Sequence, residues 1–96
     1  GLESVKGGIR LGIRNALLRL EEERAKIDSG NAQVELAQRV LETSRESYRN
    51  GLITSLELQD AQLNLNAASL GYLQAVFNYN LALYDLYDLL GVTEMR

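Results

Sequence analysis

The sequence predicts an all-α fold, a long antiparallel coiled-coil hairpin made of two helices. Two stretches of the chain carry apolar residues that recur every seven positions, which is the period of a coiled coil. The chain contains no proline to interrupt a long helix, and a short segment between the two stretches combines a helix stop with a helix start. With 96 residues the chain forms one domain at most.

The composition excludes several classes of function. There is no cysteine and no histidine, so the thiol nucleophile, the histidine base and the usual zinc ligands are all absent. A net charge of −3 offers no basic surface for nucleic acid. We therefore expect neither an enzyme nor a nucleic-acid-binding protein, and we expect no catalytic residue, no metal site and no cofactor.

Residues 1–12 contain Gly7, Gly8 and Gly12, each of which weakens a helix by about 1 kcal/mol relative to alanine. We expect a frayed lead-in there, or a junction with a strand. The first helix is predicted at 13–49, and Glu21–Glu23 within it is interpreted as a solvated charge run. Its seven-residue pattern has a large apolar row (Ile13, Leu20, Ile27, Val34, Leu41, Tyr48) and a mostly small row (Ala16, Glu23, Gly30, Ala37, Ser44).

The tip of the hairpin is predicted at 50–54. Asn50-Gly51 is a turn dipeptide in which Gly51 can adopt the left-handed conformation that ends a helix. Thr54 and Glu57 have the spacing of a capping box, with Ile53 and Leu58 placed as its hydrophobic staple. A connection this short makes the two helices antiparallel neighbours.

The second helix is predicted at 55–90, closing a hairpin over 13–91 with a tail at 92–96. Its large row is Leu58, Leu65, Tyr72, Tyr79 and Leu86, and its partner row is Ala61, Ala68, Ala75, Ala82 and Leu89. The shared period predicts the pairs Tyr48 with Leu58, Leu41 with Leu65, Val34 with Tyr72, Ile27 with Tyr79, and Leu20 with Leu86. Gly30 is then expected near Ala75, between the levels of Tyr72 and Tyr79.

A further apolar row, here called the outer row, lies on another face of the second helix: Leu56, Leu63, Leu70, Phe77 and Tyr84. The first helix has a weaker counterpart in Leu11, Leu18, Ala25 and Ala32. Each helix should therefore have two neighbours, as in a cylinder of helices or in an ordinary helical bundle. Between Ala61 and Tyr84 there is no charged residue, and the amides there suit either a wet lumen or an ordinary solvated face.

These segments resemble the TolC-like outer membrane efflux proteins from about Ile9 to Val92. The resemblance is carried by Tyr48-Arg49-Asn50-Gly51-Leu52-Ile53-Thr54, Leu56-Glu57-Leu58-Gln59-Asp60-Ala61-Gln62, Tyr79-Asn80-Leu81-Ala82 and Leu89-Leu90-Gly91. It implies that the chain is one helical hairpin, the second of the family's two repeats. Such hairpins form the periplasmic α-barrel of a trimeric duct for multidrug efflux or type I secretion. The chain would be the periplasmic portion of an outer membrane protein, meeting the membrane only through parts outside these residues.

The resemblance also implies roles for individual residues. Asn50, Gly51, Leu52 and Thr54 match the tip that docks a periplasmic adaptor protein. Glu57 and Asp60 match carboxylates at the pore entrance, and Tyr48 matches a tyrosine that helps to hold that entrance shut. Ile53 stands where the best-known member has an arginine in this lock, so the same lock cannot operate unchanged.

Alternatives remain open at this point. Gly51 is needed as a helix cap whether or not a partner docks there, and Glu57 is a capping residue as well as a candidate pore carboxylate. The chain could instead be a purely structural coiled-coil hairpin, or the adaptor-side hairpin of a tripartite pump. The outer row is assigned to packing between hairpins, which predicts self-association of the isolated chain as a dimer.

Overall fold

The computed structural model describes the backbone of residues 2–94 and the side chains of residues 6–91. Within these residues the chain consists of helix α1, Leu2–Arg49, and helix α2, Ser55–Glu94, joined by a short tip. The two helices run antiparallel as a rod 74 Å long and 15 Å across. The predicted all-α hairpin is confirmed.

Helix α1 extends through the region where the glycines predict fraying. It begins at Leu2 rather than near residue 13, and α2 continues to Glu94 rather than ending at 90. A methyl group on Gly12 would stand 3.6 Å from the Leu89 side chain, so the two helices still pack against each other at this level. Tertiary packing outweighs the low helix propensity of glycine at this level, whereas Gly7 and Gly8 have nothing within 4 Å of an added methyl group. Gly1 and residues 95–96, the outermost parts of the predicted lead-in and tail, lie outside the described residues.

The seam between the helices follows the predicted rows. All but one of their members are buried or half-buried, and the exception is Tyr48 beside the tip. The small members of the α2 row lie deepest, because an alanine lets the facing helix approach closely. The buried residues are Leu41, Ala61, Ala75, Ala82, Leu86 and, unexpectedly, Glu23.

The contact at Gly30 differs from the predicted register. A Cβ atom on Gly30 would lie 3.3 Å from the Tyr72 Cα atom and 3.7 Å from its Cβ atom, so Gly30 is level with Tyr72 itself. The prediction that Gly30 lies between the levels of Tyr72 and Tyr79 is wrong. The absent side chain admits the α2 backbone, whereas the sequence register assigned Tyr72 to Val34, about one helical turn away.

Neither helix, over the described residues, has a stretch long and apolar enough to cross a membrane.

Candidate functional site

The tip begins with a Schellman motif that ends α1. The Leu52 N–H donates to the Ser47 carbonyl at 2.8 Å, and the Gly51 N–H donates to the Tyr48 carbonyl at 3.0 Å. Gly51 has φ of +72°, the left-handed conformation that this motif requires and that a side chain resists. The predicted helix stop is confirmed.

A reciprocal capping box starts α2 three residues later. The Glu57 N–H donates to the Thr54 Oγ1 at 3.2 Å, and the Thr54 N–H donates to the Glu57 Oε2 at the same distance. The Leu58 N–H then donates to the Thr54 carbonyl, forming the first turn of the helix. Both ends of the tip are thus satisfied by its own residues, which makes the turn rigid.

Leu52 stands out on this rigid turn because its side chain is not used by the fold. In a Schellman motif the residue at its position usually packs against an apolar side chain at one of two positions near the end of the helix, but those positions hold Glu46 and Ser47 here. Leu52 is 75% exposed, more than any other large apolar residue in the described part of the chain. Asn50, Gly51 and Thr54 surround it and are exposed as well.

The candidate pore-entrance residues lie within two turns of the tip. Glu57 holds the capping box, so its carboxylate is already engaged with the Thr54 backbone. Asp60 lies three residues further along α2 and is exposed, and Tyr48 is also exposed at the end of α1. Of the two carboxylates, Asp60 is the one that the fold does not use.

The outer row is exposed along its whole length. Leu56, Leu63, Leu70, Phe77 and Tyr84 are each 59% to 68% exposed, although they repeat with the same period as the buried seam. Their counterparts on α1, Leu11, Leu18, Ala25 and Ala32, are exposed too. The outer row is therefore a contiguous apolar strip that the hairpin itself leaves uncovered.

The amides of α2 do not form one face. Gln62 donates to Asn66 and Gln74 donates to Asn78, each at 3.1 Å. The second pair lines a groove of about 290 Å³ together with Lys26 and Gly30 of α1. The first pair lies on the other side of α2, so the uncharged amides flank α2 on two sides.

Two features of the hairpin were missed by the sequence reasoning. Glu23 was assigned to a solvated charge run, but it is only 8% exposed, and its Oε2 atom has no hydrogen-bond partner. Its Oε1 atom lies 3.6 Å from the Lys26 Nζ atom. Its place in the small seam row was the signal that predicts burial. Arg19 also forms an ion pair with Asp85 at 2.7 Å, linking α1 to α2, which periodicity alone could not reveal.

The fold and its surfaces define the class of the chain. It is a capped helical hairpin in which α2 has one apolar face covered by α1 and a second apolar face that is exposed. The sequence profile of the family described as outer membrane efflux protein matches residues 2–92. The chain belongs to this family of outer membrane efflux channels. Searches of curated proteins and of solved structures found no match to it.

Family membership narrows the alternatives. The family consists of transport channels rather than enzymes. In a tripartite pump these proteins are the outer membrane channel, not the adaptor. No observation favours the adaptor-side hairpin that the sequence had left open.

Proposed function

We propose that this hairpin is one stave of the periplasmic α-barrel of an efflux duct, and that its tip docks a periplasmic adaptor protein. The barrel role is supported by the matching levels of the two exposed apolar rows. In the hairpin, Gly30 is level with Tyr72. Suppose that a second hairpin stands beside the first, with its tip at the same end and no shift along the axis. Phe77 on α2 of one hairpin is then level with Ala25 on α1 of the other, and Leu70 is level with Ala32.

Large side chains of α2 would thus meet small side chains of a neighbouring α1, as they do in the hairpin seam. This match holds for the half of the hairpin away from the tip. Near the tip the α1 row continues with Arg39 and Glu46, which would face Leu63 and Leu56. A differently composed helix, such as one from a companion repeat, would cover those leucines better, in keeping with a trimer built from two kinds of hairpin.

The docking role depends on one observation, the exposure of Leu52 on a turn that does not need a leucine. Hydrogen bonds of the backbone and of the Thr54–Glu57 capping box hold this turn, so the Leu52 side chain is presented rather than packed. A rigid apolar side chain at the end of a 74 Å rod suits a small tip-to-tip contact. In such a contact few residues carry most of the binding energy.

The pore-entrance role falls on Asp60. In a ring of hairpins, copies of Asp60 close to the tips would form a belt of negative charge at the opening of the duct. Such a belt would favour cationic solutes over anionic ones. Glu57 contributes less to this belt, because its carboxylate already accepts a hydrogen bond from the Thr54 N–H. Tyr48 lies near the belt, in the last turn of α1.

The experiment that tests docking replaces Leu52 by aspartate in the full-length efflux protein that contains this hairpin. The turn keeps its hydrogen bonds, since all of them use backbone atoms or Thr54 and Glu57. We expect export and crosslinking to the adaptor to fall at least about tenfold, while trimer assembly is unchanged. Leu36→Asp is the matched control, because Leu36 is an exposed leucine of α1 far from the tip and should keep both activities. Normal export and crosslinking in the Leu52→Asp protein would refute the docking role.

A further inference from the structure

Two neighbouring rows of α2 together form a second heptad seam. One is the outer row, and the other lies three residues further along the helix. This flank row consists of Gln59, Asn66, Leu73, Asn80 and Tyr87, and every member of both rows is exposed. The two rows alternate at spacings of three and four residues, which is the pattern of a coiled-coil interface. The seam to α1 uses other rows, so this second seam is available to another helix.

No charged residue falls in either row. The carboxylates of α2 within the described side chains, Glu57, Asp60, Asp85 and Asp88, share two other heptad rows, of which the row of Asp60 and Asp88 borders the seam near its two ends. A helix that docks along the second seam therefore meets uncharged side chains in both rows, and the stretch from Ala61 to Tyr84 carries no charge at all. Such a partner does not need charges of its own to match it.

The apolar area is sufficient for a stable pair. The two rows expose Leu56, Leu63, Leu70, Leu73, Phe77, Tyr84 and Tyr87. At roughly 100 Å² of exposed surface for each of these side chains, a copy contributes about 700 Å² and a symmetric pair about 1,400 Å². That total lies within the usual range for specific interfaces.

We propose that the second seam binds a second copy of this chain, α2 against α2, parallel and in register, with both tips at the same end. The pairing concerns the chain on its own and goes beyond the conduit role, in which other helices cover the outer row. Each layer of the interface then joins identical residues across a two-fold axis. Leucine meets leucine at Leu56, Leu63, Leu70 and Leu73, and amide meets amide at Asn66 and Asn80.

The amides decide the orientation. In an antiparallel pair with full overlap, outer-row residues face flank-row residues, so Asn66 would pack against Phe77 of the second copy and Asn80 against Leu63. The Asn66 oxygen already accepts from Gln62, but the Asn66 NH₂ group and the Asn80 amide would then be buried without a hydrogen-bond partner, which is unfavourable. The parallel pair avoids this cost, because the Asn66 NH₂ group can donate to the amide oxygen of the other Asn66. The antiparallel gain from opposed helix dipoles is smaller, because it acts only over the first and last turns of each helix and is screened by solvent.

The residues beside the seam agree with the parallel pair. In this orientation Ser69 lies next to Gln74 of the other copy, and Val76 lies next to Leu81. Asp60 lies next to Ser55, so that no two carboxylates face each other. The parallel, in-register pairing therefore matches a polar residue with a polar one and an apolar residue with an apolar one, and it brings no like charges together.

Cysteine crosslinking tests the orientation directly, because the chain has no cysteine of its own. Leu56→Cys and Tyr84→Cys chains should each form a disulfide with their own kind, at opposite ends of the same interface. A disulfide formed only when Leu56→Cys is mixed with Tyr87→Cys would show an antiparallel pair and overturn the proposal. A disulfide formed only between Leu56→Cys and Glu46→Cys would show side-by-side hairpins and would also overturn it. Leu36→Cys is the control that should form none of these bonds.

Sedimentation supplies the independent measurement. The unmodified chain should be a dimer at micromolar concentration, and Leu70→Asp should weaken the dimer by roughly a hundredfold or more because Leu70 lies at the centre of the seam. Asn64→Asp introduces the same charge on another side of α2 and should leave the dimer intact. A monomeric unmodified chain at high micromolar concentration would overturn the proposal without affecting the Leu52 export test.

Discussion

The two apolar faces of α2 have the same seven-residue period and opposite exposure. The face toward α1 combines a row of large residues with a row of mostly small ones, and Ala61, Ala75 and Ala82 of the small row lie buried there. The outer row is built on large residues, and Leu70 in its centre is 68% exposed. Periodicity alone does not distinguish the two faces, but residue size does. Alanines mark the face where the partner helix comes close within the same chain, and the outer row, which contains no alanine, stays exposed in the hairpin.

The largest effect expected from this difference is on stability. Leu41→Ala removes a large side chain that is 4% exposed in the seam, and it should destabilise the hairpin by about 2–4 kcal/mol through lost burial and a cavity. Leu36→Ala makes the same chemical change on the exposed side of α1 and should change stability by no more than about 0.5 kcal/mol. Urea unfolding of both variants, at concentrations where the chain is monomeric, gives the comparison. Equal losses would mean that the seam is not the stabilising face.

Over residues 6–91, Glu23 is the one charged residue among the buried residues of the seam between α1 and α2. Replacing it should stabilise the hairpin. Its buried carboxylate is held only by a long contact to Lys26, and its Oε2 atom has no partner. Glu23→Leu should therefore stabilise the hairpin by about 1–3 kcal/mol, since an apolar side chain of similar size removes the desolvation cost. Glu22→Leu, on the exposed surface next to it, should gain nothing comparable. A Glu23→Leu protein that unfolds at lower urea than the unmodified chain would show that the carboxylate is better solvated than its burial indicates.

Much of the hairpin can be predicted from its sequence because its determinants are local. Gly51 and the Thr54–Glu57 pair act over a few residues, and each forms the cap that its spacing predicts. The seam rows were predictable for a related reason, since a heptad assigns every residue to a face. Glu23 shows where two local rules disagree, because the charge run predicts exposure and the heptad predicts burial. The heptad prevails there because α2 covers that row along its whole length.

The remaining features depend on how the helices are placed relative to each other. A heptad pattern does not distinguish registers that differ by about one turn, so Gly30 was assigned to the wrong level of α2. The helix at Gly12 is supported by packing against Leu89 of α2, which glycine propensity does not include. The roles of Leu52 and Asp60 are of a third kind. Their exposure is visible in the structure, but their function concerns molecules outside the chain, so both stay predictions.

The smallest expected effect is the difference between two glycine-to-alanine substitutions. Gly71 lies on the exposed surface of α2, and Gly30 lies in the seam between the helices. Gly71 faces open space, with nothing within 4 Å of a methyl group added there, so Gly71→Ala should stabilise α2 by about 0.5–1 kcal/mol through helix propensity alone. Gly30→Ala receives the same propensity gain in α1. Its methyl group, however, would lie 3.3 Å from the Tyr72 Cα atom, so the helices must separate by a few tenths of an ångström at the tightest point of the seam. We expect Gly30→Ala to be less stable than Gly71→Ala by about 1 kcal/mol, measured as the difference in their free energies of unfolding in urea. Equal gains in the two variants would show that the helices are not in close contact at Gly30, and the observed level of Gly30 with Tyr72 would lose its energetic basis.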